Sequence, residues 1–206
     1  MVPGLFLKGL IIGFSIAAPV GPIGLLCIRR TLTVGRTTGL MSGLGAATAD
    51  AFYGFIAGFG LTALSSLLIC QQEWFRLIGG FFLCYLGLKA LFSKPAEQMA
   101  SGKGNGLIGA YASTFFLTLT NPMTILSFAA IFAGLGIVSS GVDYIAAGIL
   151  VLGVFLGSAL WWLLLSSGVA FFQEKFNLRE LKWVNRISGI LILFFGLYVL
   201  LNVKRS

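Results

Sequence analysis

Residues 144–172 read YIAAGILVLGVFLGSALWWLLLSSGVAFF and contain no charged side chain. A helix needs about 20 mainly apolar residues to cross the hydrocarbon core of a bilayer, and this stretch exceeds that length. Because unpaired backbone amide and carbonyl groups are too costly in hydrocarbon, such a segment is expected to be helical. The stretch therefore predicts an integral membrane protein built of α-helices.

The composition of the whole chain also fits a membrane protein. Of its 206 residues 58% are hydrophobic and 10% are charged, and there is no histidine. A soluble domain carries roughly 25% charged residues, so this chain has too few to cover a surface in water. Its formal net charge of +8 comes from basic residues that collect between the apolar runs. That pattern is a topology signal in membrane proteins, and no nucleic-acid partner is expected.

Six apolar runs are long enough, or nearly long enough, to cross a bilayer. They are residues 5–28, 39–64, 77–92, 107–138, 144–172 and 187–203. The first run could be a signal peptide cleaved after Ala18, but Pro19 is unfavourable there and the run continues to Ile28, so a retained helix is expected. We predict an all-α integral membrane protein with six transmembrane helices in one domain, residues 1–206.

Basic residues are unevenly distributed over the connections between these runs. Ten of the 14 lysines and arginines lie in or beside the first, third and fifth connections, against four at the opposite ends of the runs. Cytoplasmic loops of membrane proteins are enriched in lysine and arginine. The distribution predicts that these connections, including a linker at about residues 93–106, are cytoplasmic and that both termini lie outside the cytoplasm.

An internal repeat relates the two halves of the chain. At one constant offset the matching pairs are Trp74 and Trp183, Gly80 and Gly189, and Gly87 and Gly196. Two copies of a three-helix unit, at about residues 1–92 and 107–206, would cross the membrane in opposite senses because three is odd. Inverted repeats recur in transporters, whose substrate site lies at the repeat interface near the membrane midplane. Glycine is abundant here, so chance matching is the alternative explanation.

The first span contains two prolines in the sequence APVGP at residues 18–22. Pro19 and Pro22 each lack an N–H group and clash with the carbonyl four residues earlier. The carbonyls of Ser15 and Ala18 are therefore expected to leave the helical hydrogen-bond ladder, and Gly21 lets the backbone turn. At about 1.5 Å per residue, this break lies near the middle of the membrane.

A matching break stands in the fourth span, at Thr120-Asn121-Pro122. Pro122 is expected to release the carbonyl of Thr118. Corresponding breaks in two halves are a sequence signature of a transporter site, because the helix N-terminus after a break suits a carboxylate and freed carbonyls suit an ammonium group. An ordinary proline kink, which membrane helices tolerate, is the alternative for either break alone.

Of the six acidic residues, Asp50 alone falls inside an apolar run. An ionisable side chain at membrane depth indicates a proton relay or a cation site; a protonated residue that links two helices by a hydrogen bond is the alternative. Ser158 and Trp161 occupy the positions of the second half that correspond to Asp50 and Tyr53. The predicted substrate-binding or coupling residues are Ser15, Pro19, Gly21, Pro22, Asp50, Tyr53, Thr118, Asn121, Pro122 and Ser158.

Several short motifs follow one another along the chain. They are Pro19-Val20-Gly21-Pro22, Arg29-Arg30-x-Leu32, Gly35-Arg36-x-x-Gly39-Leu40, Asp50, Tyr85-Leu86-Gly87-Leu88-Lys89-Ala90-Leu91, Asn121-Pro122, and Arg186-x-x-Gly189-x-Leu191 with Gly196-Leu197-Tyr198. In this order they resemble the lysine exporter (LysE/RhtB) family of bacterial amino-acid exporters. The resemblance implies a proton-driven exporter of amino acids, or closely related small solutes, in the bacterial cytoplasmic (inner) membrane, with no bound cofactor. Val20, Ile23 and Met123 depart from the family pattern, which leaves the substrate open.

Other functions fit parts of this pattern. An intramembrane thiol oxidoreductase needs two cysteines that can meet, whereas Cys27, Cys70 and Cys84 have no CxxC spacing. A divalent-cation exporter of related fold would bind its cargo with one buried carboxylate and no histidine, a poor ligand set, and no metal site is predicted. A structural subunit would not need the paired breaks. No enzyme is expected, because nucleophile motifs and paired carboxylates are absent from the sequence.

Small-residue spacings recur in the second and fifth spans, as Gly39-x-x-x-Gly43 and Gly153-x-x-x-Gly157. Such spacings let membrane helices approach closely, within one chain or between two. They make a homodimer a reasonable expectation.

Overall fold

The computed structural model describes residues 2–19, 21–58, 71–92, 106–121, 124–125, 127–128, 144–173 and 178–201. In these ranges the chain forms seven main α-helices and no β-strand. They are α1 (Val2–Ala17), α2 (Pro22–Thr33), α3 (Arg36–Gly58), α4 (Gln72–Phe92), α5 (Gly106–Leu119), α6 (Tyr144–Gln173) and α7 (Leu178–Leu201). The predicted all-α class is confirmed.

Helices α6 and α7 are each long and apolar enough to cross a bilayer, over Tyr144–Phe172 and Arg179–Leu201. Helices α1 and α2 make a third such span when counted together, with a bend of 80° between them. Helices α4 and α5 contain the shorter apolar segments Leu77–Phe92 and Gly106–Leu119. The described part of the chain thus contains two or three clear spans, and the count of six remains a prediction.

Helix α3 has 23 residues but is rich in small and polar ones. Its Ser42 and Asp50 are buried within the protein, and α3 packs against α5 on one side and α6 on another. A membrane helix that is surrounded by other helices uses small and polar residues where a lipid-facing helix needs large apolar ones. Its low hydropathy therefore follows from its central position.

The ends of several helices differ from the predicted apolar runs. Helix α7 begins at Leu178 rather than at residue 187, so Arg179, Lys182 and Arg186 lie on its first turns and not in a loop. Long basic side chains favour helix, and they reach the polar boundary of a membrane from a helical backbone. The apolar pattern therefore marked only part of the helix. Residues 59–64 and 129–138 of the second and fourth predicted spans lie outside the described residues.

The directions of the helices follow from which residues meet. Helix α1 runs parallel to α6 and α3 runs parallel to α5, whereas α3 is antiparallel to α6 and α4 is antiparallel to α7. For the parallel pairs, Gly9 meets Gly153 and Leu10 meets Gly157 between α1 and α6, and Thr48 meets Tyr111 and Tyr53 meets Leu119 between α3 and α5. For the antiparallel pairs, Gly43 meets Trp162 and Gly54 meets Val154 between α3 and α6, and Gly80 meets Gly196 and Gly87 meets Gly189 between α4 and α7.

Glycines allow α4 and α7 to approach each other closely. A Cβ on Gly87 would lie 2.7 Å from the backbone nitrogen of Leu193 and 3.0 Å from the carbonyl oxygen of Gly189, and a Cβ on Gly196 would lie 3.0 Å from the carbonyl oxygen of Gly80. The backbones of α4 and α7 are therefore in direct contact. The four glycines are the ones that the internal repeat pairs along the sequence.

The Gly-x-x-x-Gly spacings are used inside the chain. Gly43 packs against the side chain of Trp162, and Gly153 and Gly157 pack against the backbone of α1. These surfaces are therefore covered by helices of the same chain, and the predicted homodimer stays a prediction that would need a different surface.

Candidate functional site

The first helix break separates α1 from α2. The last backbone hydrogen bond of α1 joins the N–H of Ala18 to the carbonyl of Phe14, and Gly21 then adopts an extended conformation with φ −104°. Pro22 is the first residue of α2, a position where proline is favoured because that N–H has no helical partner. The N–H groups that follow it therefore begin a helix N-terminus at the break.

The second break follows α5, which ends at Leu119. The hydroxyl of Tyr53 donates a hydrogen bond to the carbonyl of Leu119, and the N–H of Asn121 donates to the carbonyl of Thr118 at 3.2 Å. The carbonyl of Asn121 then accepts hydrogen bonds from the N–H groups of two residues that begin a new helical turn, Thr124 at 3.1 Å and Ile125 at 3.2 Å. Pro122, the predicted cause of this break, lies outside the described residues.

A small cavity of about 60 Å³ lies between the two breaks. One water molecule needs about 10–15 Å³ of such volume, so the cavity has room for roughly four water molecules or for polar groups of similar total size. Its lining comprises Pro19, Gly21, Pro22, Ile23 and Gly24 at the first break, Thr118, Asn121 and Thr124 at the second, Asp50 from α3 and Trp162 from α6, together with Ile16, Ala17 and Ala46.

Asp50 is the one buried carboxylate among the described residues, with 3% of its surface exposed. Its Oδ2 accepts a hydrogen bond of 2.7 Å from the hydroxyl of Ser158, and that hydroxyl accepts one of 3.2 Å from the indole nitrogen of Trp162. Ser158 of α6 therefore holds one oxygen of the carboxylate in place, and Trp162 holds the hydroxyl of Ser158. The same carboxyl group lines the small cavity.

A larger cavity of about 510 Å³ adjoins the small one. Both cavities are bounded by Pro19, Gly21, Pro22, Asn121 and Thr124. The further walls of the large cavity come from α4, α5 and α7. At the two breaks the small cavity beside Asp50 therefore adjoins a larger cavity that α4, α5 and α7 help to enclose.

Basic side chains line a third cavity of about 410 Å³, among them Arg29, Arg30 and Lys89. The guanidinium of Arg30 donates hydrogen bonds only to neutral oxygens among its described contacts. Its acceptors are the hydroxyls of Ser42 at 2.8 Å, Thr114 at 2.9 Å and Ser113 at 2.7 Å, and the carbonyl of Ala110 at 3.0 Å. Arg29 donates to the side-chain oxygen of Asn185 at 3.3 Å. These arginines thereby join α2 to α3, α5 and α7.

Most of the predicted site residues meet at the small cavity. Pro19, Gly21, Pro22, Asp50, Thr118 and Asn121 line it, and Ser158 contacts Asp50 from behind. Tyr53 reaches the second break through its hydroxyl. Ser15 is exposed and lines neither cavity at the breaks.

Several residues that line the site were not predicted from the sequence, among them Trp162 and Thr124. Trp162, and not Trp161, faces Ser158 and the cavity; Trp161 packs edge-on against Phe14, with ring centroids 5.4 Å apart. Thr124 lines both cavities at the breaks. The four-residue spacing of Ser158 and Trp162, which puts both on one face of a helix, was the available signal for the tryptophan.

The cysteines are spread over different parts of the fold. Cys27 is buried in the core, and Cys84 on α4 packs against Gly196 of α7; both are free thiols. Cys70 lies outside the described residues. Within the described ranges no three His, Cys, Asp or Glu side chains lie together as a metal site would require.

Apolar helices that enclose a polar cavity between two helix breaks define a helical membrane protein of the translocator class. The particular family follows from comparison with known proteins. The chain belongs to the LysE type translocator family, whose model matches residues 14–203. The family predicted from the motifs is confirmed.

Relatives of the chain occur in bacteria. It is 28% identical over 199 residues to "Putative amino acid efflux protein YcgF" of Bacillus subtilis (strain 168), covering 94% of both chains. It is 25% identical over 187 residues to "Uncharacterized membrane protein YrhP" of the same organism, covering 84% of this chain and 87% of the relative. It is 29% identical over 164 residues to "Chemotactic transduction protein ChpE" of Pseudomonas aeruginosa, covering 77% and 78%. No solved structure matches the chain.

Proposed function

We propose that this translocator exports amino acids, or closely related small solutes, through the cavity at the two helix breaks, and that the proton gradient drives the export. The observation that carries the proposal is that the buried carboxylate of Asp50 lines the same cavity as both breaks. One relative of similar length is named for amino acid efflux, which supports the choice of substrate.

The cavity offers partners for both charged groups of an amino acid. The first backbone hydrogen bond of α2 after the break runs from the N–H of Leu25 to the carbonyl of Gly21, so the N–H groups of Ile23 and Gly24 precede the helical ladder. Such groups, at the positive end of a helix dipole, suit a carboxylate. Asp50 suits the ammonium group. The two partners lie in one small cavity, as the two groups of an amino acid require.

Asp50 also explains how protons drive the transport. An ionised carboxylate binds the substrate's ammonium group, whereas a protonated one does not, so proton and substrate compete for Asp50. Two ligands that compete for one group cannot be bound at the same time. If the binding site turns from one side of the membrane to the other only when one of them is bound, the carrier exchanges the two ligands across the membrane. Inward movement of protons would then expel the amino acid. Ser158 keeps the carboxylate oriented in either state.

The directions of the helices support six spans arranged as two inverted repeats within one domain, residues 1–206. If the second repeat follows the first in the opposite sense, α1 corresponds to α5, α3 to α6 and α4 to α7. The parallel pair formed by α1 and α6 then corresponds to the parallel pair formed by α5 and α3. The antiparallel pairs α3 with α6 and α4 with α7 each correspond to themselves. All four observed directions agree with this scheme.

We further propose a bacterial cytoplasmic membrane location with both termini outside the cytoplasm. The relatives named above are bacterial. The charge distribution supports the orientation, because Arg29, Arg30 and Lys89 line one cavity and would then face the cytoplasm.

Transport in reconstituted vesicles tests the proposal. Wild-type protein should accumulate labelled amino acid when a pH gradient is imposed, and Asp50→Asn should not, because asparagine keeps the size of the side chain but cannot ionise. Glu73→Gln is the matched control: this carboxylate is exposed on α4, and its loss should leave transport unchanged. Gradient-driven uptake by a well-folded Asp50→Asn variant would remove Asp50 from the mechanism. Failure of the wild type to move any amino acid would overturn the substrate assignment.

A further inference from the structure

We propose that the large cavity receives the side chain of the substrate, and that the exported amino acids are those with medium or large apolar side chains. This inference rests on the proposed function, because it assumes that the small cavity beside Asp50 binds the ammonium and carboxylate groups. It goes further by assigning a substrate class to the second cavity.

The two cavities adjoin at the breaks. Pro19, Pro22 and Asn121 border both. The small cavity, at about 60 Å³, has no room for a side chain in addition to the charged groups. An amino acid whose charged groups occupy it must therefore direct its side chain into an adjoining space, and the large cavity shares the same bordering residues.

Among the described residues, the lining of the large cavity is apolar or neutral. Leu83, Leu117, Phe195 and Val199 supply its apolar walls, while Thr120 and Ser127 are among its few polar ones. A charged side chain would lose its hydration there without gaining an opposite charge, which is strongly unfavourable. An apolar side chain gains from the transfer in proportion to the surface that it buries. The chemistry of the walls therefore selects for apolar side chains.

The size of the cavity favours the larger members of this class. Its volume is about 510 Å³, within the range of about 300–1,000 Å³ that is usual for sites of small organic ligands. A short side chain such as that of alanine would contact few of the walls, because dispersion contacts require close approach. Leucine, methionine and phenylalanine would contact more of them.

The basic cavity supplies a second, electrostatic selection. Arg29, Arg30 and Lys89 line it, and clefts lined by one sign of charge repel ligands of the same sign. Lysine and arginine would be disfavoured near this cavity, whereas a zwitterion with an apolar side chain carries no net charge. The charge of the basic cavity thus disfavours cationic amino acids independently of the apolar walls of the large cavity, which disfavour them as well.

Counterflow rates of different amino acids in vesicles test the substrate class. A counterflow assay with the wild-type protein should give rates for leucine, methionine and phenylalanine at least tenfold above those for lysine, glutamate and serine. Higher rates for lysine or serine than for leucine would overturn the inference while leaving amino-acid export intact. No counterflow of any amino acid would instead contradict the proposed function.

Variants at Val199 test the assignment of the cavity. Val199→Trp should lower phenylalanine transport at least tenfold while changing valine transport less than threefold, because the added ring occupies the space of the substrate's side chain. Leu197→Trp is the matched control, since Leu197 is exposed on the same helix and does not line the cavity. Val199→Ala enlarges the space and should shift preference towards phenylalanine. Equal losses for all substrates, or no change in preference with either Val199 variant, would overturn the assignment.

Discussion

The hydroxyl of Ser158 lies 2.7 Å from Oδ2 of Asp50 and donates a hydrogen bond to it, across a separation of 108 positions in the chain. In the proposed repeat these two residues occupy corresponding positions of the two halves. Two residues that a twofold axis relates can touch only if both lie close to that axis. The proposed repeat therefore has its axis at the Asp50–Ser158 contact, where inverted-repeat transporters bind substrate.

Replacing Ser158 with alanine tests what this contact contributes. Ser158→Ala removes the donor to Asp50 and the acceptor for Trp162, so two buried polar groups lose their partner at once. A hydrogen bond to a charged group contributes about 1.5–3 kcal/mol. We expect a lower melting temperature in detergent and a transport rate reduced several-fold, with threonine at position 158 restoring most of both. A fully active and equally stable alanine variant would contradict the role of Ser158 in orienting the carboxylate.

The close packing of α4 against α7 at their glycines leads to a prediction about stability alone. Gly87→Ala would put a methyl group 2.7 Å from the backbone nitrogen of Leu193, and overpacking of this kind costs about 1–3 kcal/mol. Gly148→Ala on α6 is the control, because no atom lies within 4 Å of a Cβ built there and alanine favours helix over glycine. Thermal unfolding in detergent should show a loss for the first variant and none for the second. Equal melting temperatures would contradict the close contact.

The class of the fold was predictable because hydrocarbon imposes one demand on every span. Long apolar runs must be helical, and proline interrupts a helix wherever it stands beyond the first turn. The helix breaks and Asp50 were therefore visible in the sequence as local chemistry. The ends of α7 were not, since Arg179, Lys182 and Arg186 continue the helix beyond the apolar run that revealed it.

Residues that depend on how helices rotate about their axes were not predictable. Neighbouring helix positions differ by about 100° in direction, so the sequence did not show whether Trp161 or Trp162 would face Ser158. The partners of Arg30 depend in the same way on how α2, α3 and α5 are rotated where they pack together. The sequence assigned Arg30 to a cytoplasmic loop, whereas it lies on α2 and its guanidinium is part of a partly buried polar network.

The network around Arg30 predicts that lysine cannot replace this arginine. One nitrogen of the guanidinium reaches Ser42, Thr114 and Ala110, and the other reaches Ser113. A lysine ammonium has a single nitrogen and cannot reproduce this planar fork. Arg30→Lys should lower the melting temperature in detergent, whereas Arg36→Lys should not, because Arg36 is exposed at the start of α3. Similar stability of the two variants would count against the network.

Cysteine labelling tests the proposed orientation. In a variant whose Cys27, Cys70 and Cys84 are replaced by serine or alanine, a cysteine at position 37 replaces Thr37, which is exposed in the first turn of α3. In intact cells it should resist a membrane-impermeant thiol reagent and react after permeabilisation. A cysteine in place of Ser206 should react without permeabilisation. The reverse pattern would invert the topology that the basic residues predict.

Pro22 provides the sharpest test of the first break. An alanine at this position has an N–H group that can donate to the carbonyl of Ala18, four residues earlier, and so continue α1 into α2. Pro19 would then be the one proline left between the two helices, which bend by 80°, and the N–H groups of Ile23 and Gly24 would join the helical ladder instead of beginning a helix at the cavity. We expect Pro22→Ala to insert normally into the membrane, to melt no lower than the wild type, and to lose at least nine-tenths of its transport rate, because one added backbone hydrogen bond stabilises the straightened helix. Pro3→Ala is the matched control, since Pro3 also stands in the first turn of a helix, α1, but at its start rather than at a break between two helices. Transport by Pro22→Ala within a few-fold of the wild type would mean that this proline is an ordinary kink and that the cavity does not depend on it.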